Sequence, residues 1–275
     1  MAARTSWTPP VGTAWADALS TDFGPHFQQP LQKWFQAFLD SAILTVVGLR
    51  ARVAWDKSPL WEWDVERFAD ELFARDDQRV VLAIDAALYE LAGKSAPAGR
   101  ALSAILEAGG SAWRVRDDGR GLERRVPEAV RTAVVNAISS AEAASADAAR
   151  HLRAAWGKAY GIAPDAKGAY AEAVCAVESA ASRLVEPRNA NATLGTVNGV
   201  LRADPAHWQM AITDRQGTPL DVAPTLAMME LLWRGQTDRH GANPSIPVTL
   251  PAAQAAVHLA ATLVQWWTSG AVVKV

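Results

Sequence analysis

The chain has 275 residues, half of them hydrophobic and a fifth charged, with a formal net charge of −2. This composition excludes wholesale disorder and is ample for a buried core. The near-neutral balance excludes polyanion binding through global charge, so any nucleic-acid contact is local.

Cationic charge is carried mostly by arginine, and twelve tryptophans are present. Both residue types favour stacking and interfaces, although tryptophan is also a core residue. The single cysteine, Cys175, has no partner for an internal disulfide and sits at helical spacing as a small hydrophobe. The N-terminus lacks the apolar core of a secretory leader, and the longest apolar run, "AAVHLAATLVQWW", is too short for a membrane span. A soluble, cytoplasmic protein with no membrane contact is expected.

In chain order, the first thirty residues, rich in Pro, Gly, Thr and Trp, predict an irregular arm. "LQKWFQAFLDSAILTVVGLRARV" keeps an apolar face through Trp34, Phe35, Phe38 and Ala42 and predicts one helix. After a loop at Lys57-Ser58-Pro59, "DVERFADELFARDD" and "QRVVLAIDAALYELAG" predict two short helices, the first capped by Asp64. "SAWRV" and "GLERRV" around Asp118-Gly119 carry the only good hairpin signal. Residues 127–161 are alanine-rich and predict a long helix, followed by another in "APDAKGAYAEAVCAVESAASRLVEP". A loop with a short helix from Thr193 to Leu201 follows. "TPLDVAPTLAMMELLWRGQTDRHG" and "TLPAAQAAVHLAATLVQWWTSGA" then predict the last two helices, with Thr249 as a cap and Pro251 in the first turn. The class is mainly α, organised as an N-terminal helical region (1–110), a hairpin connector (111–126) and a C-terminal helical domain (127–275).

The segment "LLWRGQTDRHG" concentrates chemistry at the end of an apolar helix. Arg234 and His240 have five residues between them. An arginine matches two phosphate oxygens with its planar fork, and a histidine titrates near working pH. RNA supplies its own nucleophile, the 2′-hydroxyl, so cleavage needs a base for that proton and a cation for the charged phosphorane. Asp238 would orient the imidazole, and Arg239 would bind a flanking phosphate. A plainer reading has Asp238, Arg239 and His240 ending a helix, cations at the negative end of the dipole and Gly241 in the left-handed turn. About one such Arg-to-His spacing is expected by chance. A second, Arg202 to His207, has Pro205 inside its spacer and reads as a loop decoy.

The Arg-to-His spacing is the signature of the HEPN superfamily. Residues 113–271 also resemble the C-terminal portion of bacterial abortive-infection proteins of the AbiJ type, a HEPN-containing group. The phrases that carry it are "GSAWRV", "HLRAAWGKAYG", "PDAKGAYAEAVCAVESA", "VEPRNANATLGTVNGVL", "LLWRGQTDRHG" and "AAVHLAATLVQWWTSGA". The resemblance implies a HEPN-like helical bundle, a homodimer across the motif helices, and ribonuclease activity in phage defence, with an antitoxin or defence-system partner possible. One departure stands out: many HEPN nucleases place Asn, Asp or His after the motif arginine, where this chain has Gly235.

Further candidates lie outside the motif. Glu178 falls within an apolar stretch and is expected either to face an arginine of the motif helix or to sit exposed. Arg114, Arg116, Arg120, Arg124, Arg125 and Arg131 lie within eighteen residues beside Trp113. They would guide an RNA backbone while Trp113 stacks on a base. Asp117, Asp118, Glu123 and Glu128 cancel most of that charge, which equally fits a salt-bridged hairpin. His258 reads as a hydrogen-bonded core histidine. No metal-ligand spacing or phosphate-binding glycine loop is present, so no metal or cofactor is expected. Taken with the resemblance, the motif implies a metal-independent endoribonuclease using Arg234, Arg239 and His240. The alternative is a non-catalytic scaffold that binds RNA, a nucleotide signal or a partner protein.

Overall fold

The computed structural model describes residues 19–53, 64–74, 77–236 and 246–275. Among them the protein is mainly α-helical, with two small antiparallel sheets. The chain divides into two compact units, with the division between Arg125 and Val126.

The first unit holds α1 (Pro25–Phe38), α2 (Ser41–Arg50), α3 (Val65–Phe73), α4 (Asp77–Leu91), α5 (Ala96–Ala108) and a hairpin of β1 (Trp113–Val115) and β2 (Leu122–Arg124). Phe27, Leu31, Trp34 and Phe35 fall on one face of α1 and bury it against α3 and α5. Phe35 meets Phe68 edge-on at 5.7 Å between ring centroids, and Trp34 Nε1 donates to Ala98 O at 2.8 Å. The single helix expected over 31–53 is two. The chain breaks after Phe38, and the Asp40 carboxylate accepts the Ile43 N–H at 2.8 Å to restart it. The expected N-terminal arm also gives way to helix by Pro25; its residues 1–18 lie outside the described residues.

The hairpin forms at the Asp-Gly turn. Gly119 takes a left-handed φ of 69°, and its N–H donates to Arg116 O. Expected as a connector, the hairpin packs on α4 and α5 within the first unit. Asp85 of α4 accepts the Leu122 N–H at 2.7 Å, and burial pushes its carboxyl up. A side chain at Gly121 would place its Cβ 2.4 Å from Asp85 Oδ1, so the residue before β2 has to be small.

The second unit contains α6 (Glu128–Ala144), α7 (Ala146–Tyr160), α8 (Ala166–Val185), α9 (Leu194–Ala203), α10 (Ala223–Arg234) and α11 (Leu250–Thr268). A three-stranded sheet in the order β4-β3-β5 completes it, from β3 (Trp208–Thr213), β4 (Pro219–Asp221) and β5 (Val272–Lys274). Helix α8 is central. Its buried Ala169, Ala173, Val177 and Ala180 let α7 and α11 approach closely. The expected continuous helix over 127–161 breaks at Ser145. This buried hydroxyl donates to Ser179 O on α8 and caps Ala148. Residues 208–221, expected as loop and helix start, are instead a second hairpin, and the last helix ends at Thr268 so that β5 can join it. His258 shares a 2.7 Å hydrogen bond with the Tyr160 hydroxyl, and burial pushes its pKa down. None of the helices among the described residues is long and apolar enough to cross a membrane.

Candidate functional site

Helix α10 buries Thr225, Met229 and Leu232 and ends in solvent at Arg234. The Arg234 side chain is 75% exposed, and its Nη2 lies 3.0 Å from Glu230 Oε2, one turn back. The other carboxylate oxygen, Oε1, is held by Arg202 from the last turn of α9, with Arg202 Nε at 3.1 Å and Nη2 also in contact. Arg202 is 59% exposed. Two guanidinium groups on neighbouring helices therefore share one carboxylate, leaving the trio with a net positive charge facing water. The Arg202 hydrogen bond, followed by the charges of Arg202 and Arg234, holds the Glu230 carboxyl below its usual range.

The departure at Gly235 has a packing cause. The Tyr170 hydroxyl on α8 donates to Leu232 O at 3.0 Å, which is one of the carbonyls a helix end leaves open. A Cβ at Gly235 would fall 2.1 Å from that hydroxyl oxygen. On the other side, a Cβ at Gly195 of α9 would fall 2.6 Å from the Trp233 ring. The end of α10 is thus seated between α8 and α9 through two glycines, which fixes where Arg234 leaves the surface. Asp238, Arg239 and His240 lie outside the described residues. The chain is described again from Ile246, and Thr249 caps α11 through Ala252 N–H.

The pair taken as a decoy is placed differently from expectation. Arg202 stands on α9 rather than in a loop, and His207 Nδ1 lies 2.5 Å from Asp204 Oδ1. Pro205 opens only the short 3-10 turn that follows. Glu178 does not face the motif arginine. Its Oε2 accepts the Leu194 N–H at 2.7 Å, satisfying the first turn of α9, and burial pushes its carboxyl up.

Within the hairpin, Trp113, Arg114, Arg116, Arg124 and Arg125 are each engaged by other groups of the protein, while the exposed Arg120 side chain is not among them. Trp113 is 5% exposed, its indole N–H donates to Thr21 O, and the Arg124 guanidinium covers its ring at 4.5 Å. Base stacking on Trp113 is therefore closed. Arg114 pairs with Glu123, directly opposite in the strand register, at 3.0 Å and with Asp117 at 2.8 Å. Arg116 grips Asp118, and Arg125 donates to Ser111 O and Trp113 O.

A further ensemble had no sequence-level reading. His151 on α7 points Nδ1 at Glu172 Oε2 of α8 at 2.7 Å, while Lys158 holds Oε1 at 2.9 Å. Arg150 Nη2 lies 3.0 Å from His151 Nε2. Burial raises the Glu172 carboxyl, but the bonds from His151 and Lys158 outweigh it and hold it low. The available signal was spacing, since His151 and Lys158 are two helical turns apart on one face. Cys175, on α8, is half-buried, and burial pushes its thiol up, so it is a poor nucleophile. No cluster of His, Cys, Asp and Glu among the described residues could hold a metal ion. The chain matches no known protein-family model, no curated protein and no solved structure.

Proposed function

We propose that the protein is a metal-independent endoribonuclease of HEPN type, acting in a bacterial phage-defence or toxin system. The observation that carries this reading is the pair of exposed arginines, Arg202 and Arg234, held on adjacent helices by Glu230 at the end of the motif helix. A phosphodiester entering there meets two guanidinium groups already oriented by one carboxylate, and it competes with that carboxylate for them. Arg234 and Arg239 then bind the scissile phosphate, with Arg202 on the flanking one. His240, oriented by Asp238, takes the 2′-hydroxyl proton and returns a proton to the departing 5′-oxygen. The products are a 2′,3′-cyclic phosphate and a 5′-hydroxyl. Gly235 does not argue against activity in this reading, because Tyr170 requires a small residue there. In this reading two copies of the chain pair as a symmetric homodimer, each contributing one motif to a shared site.

The test is cleavage of total bacterial RNA by the purified chain with excess EDTA present, with end analysis of the fragments. EDTA-insensitive cutting to cyclic phosphate ends, reduced at least about a hundredfold in His240→Ala, supports the proposal. Cutting that disappears with EDTA or persists in His240→Ala overturns it.

A second reading is a non-catalytic scaffold that binds RNA. What favours it is that Glu230 already partly neutralises both arginines. RNA binding by wild type and His240→Ala alike, without cutting by either, would select it.

A further inference from the structure

A cleft of about 840 Å³ lies wholly within the first unit, between one face of α5, the turn that precedes it and the β1–β2 loop. This is within the size range of sites for small organic ligands. Its charges are distributed unevenly. On the hairpin wall, Arg114 is taken by Glu123 and Asp117, and Arg116 by Asp118, so that wall is nearly neutral. Lys94, in the turn, and Arg100, on α5, line the cleft without an ion-pair partner among the described residues. Both are solvent-exposed.

The α5 face supplies the rest. Arg100, Ser103, Ala104 and Glu107 recur at helical spacing along the cleft floor. Seven residues of helix set Arg100 and Glu107 about 10 Å apart along the axis. Between them only small side chains stand up from the helix, and Val115 adds apolar surface from β1. The cleft therefore has a cationic end, a small and partly apolar middle, and a carboxylate at the far end.

We infer that this cleft binds a nucleoside monophosphate, with the phosphate on Lys94 and Arg100 and the base toward Glu107. Two cations, unpaired among the described residues, balance one phosphate dianion. An RNA strand would need a longer basic track, with aromatic platforms for its bases, and Trp113, next to the lining residue Arg114, is buried beneath Arg124. Glu107 accepts hydrogen bonds only, so it selects a ligand end that carries amino or hydroxyl donors. The inference does not depend on the ribonuclease reading, whose residues all belong to the second unit.

Titration calorimetry on the full chain tests it, with AMP, GMP, CMP and UMP, ribose 5-phosphate, inorganic phosphate and a short single-stranded RNA as probes. At least one nucleoside monophosphate should bind one per chain and more tightly than ribose 5-phosphate or phosphate. Lys94→Glu and Arg100→Glu should each weaken it at least about tenfold, as expected for loss of a charge-assisted contact. Glu107→Gln should change the ranking among the four bases. Arg215→Glu, in the second unit, should change nothing. Both charge reversals lie on exposed positions, and circular dichroism verifies that each variant is folded. Absence of nucleotide binding by wild type, binding that survives both reversals, or binding of the RNA alone would each overturn the inference.

Discussion

The hairpin of the first unit and the α9–α10 end of the second are the two arginine-rich surfaces considered for phosphate binding, and their arginines are committed in opposite ways. In the hairpin, four guanidinium groups are engaged by three carboxylates, two backbone carbonyls and an indole ring. At α9–α10, two guanidinium groups share Glu230 and keep more than half of their surface open. Arginine density is higher in the hairpin, yet the Arg202 and Arg234 side chains are more open to water than those of Arg114 and Arg116. For the proposed phosphate site, the exposure of the guanidinium groups counts for more than their number.

The largest expected effect tests the structural side of that contrast. Trp113→Ala removes a buried indole along with its bond to Thr21 and the seat of Arg124. It should cost about 3–5 kcal/mol in a denaturant titration. At temperatures where the variant remains folded, RNA affinity should be unchanged; a specific loss of RNA binding would return the hairpin to the functional side.

Next is the seat of Arg234. Gly235→Ala forces a methyl group against the Tyr170 hydroxyl and should cost about 1–3 kcal/mol. The double variant Gly235→Ala with Tyr170→Phe removes the oxygen that clashes and should recover part of that loss in a double-mutant cycle. Strict additivity would show that Gly235 is small for some other reason.

The smallest effect concerns acid stability. The Glu172 carboxyl is held low in the folded state by His151 and Lys158. Its contribution is complete above the ordinary carboxylate value and is lost as the pH falls through the folded one. The ensemble is partly open to water, so Glu172→Gln should flatten the acid limb of a stability–pH curve by less than about 1 kcal/mol. A variant with an unchanged acid limb would leave the ensemble without electrostatic weight.

Legibility in the sequence followed the range of the interactions involved. Helical periodicity in α1, α8 and α11 is local, and so is the Asp-Gly turn, and both were readable. The breaks at Asp40 and Ser145 were not, because a cap inside an apolar or alanine-rich run looks like one more polar helix position until its backbone partner is known. The second sheet escaped because β4 and β5 have three residues each, too few for alternation to show, and β5 pairs with a strand some sixty positions earlier. Glu178 stood out in the sequence as a carboxylate in apolar company, but neither the motif arginine nor open solvent is where it lies. Its partner is a backbone N–H, which leaves no mark in the sequence. Pro205 made Arg202 look like a loop residue, although the proline acts only after α9 has ended. The link from Arg202 through Glu230 to Arg234 joins two helices, and only half of it, the one-turn pair Glu230–Arg234, could have been read directly.

The most direct test of the contrast is RNA affinity measured as a function of salt for wild type and two double variants, Arg202→Ala with Arg234→Ala and Arg116→Ala with Arg124→Ala. Each lost phosphate contact lowers the slope of log affinity against log salt by about one. The α9–α10 double variant should bind more weakly with a slope reduced by about two, while the hairpin double variant should follow wild type. A slope that falls for the hairpin variant and holds for the α9–α10 variant would place the phosphate site on the other surface and contradict the proposed function at its base.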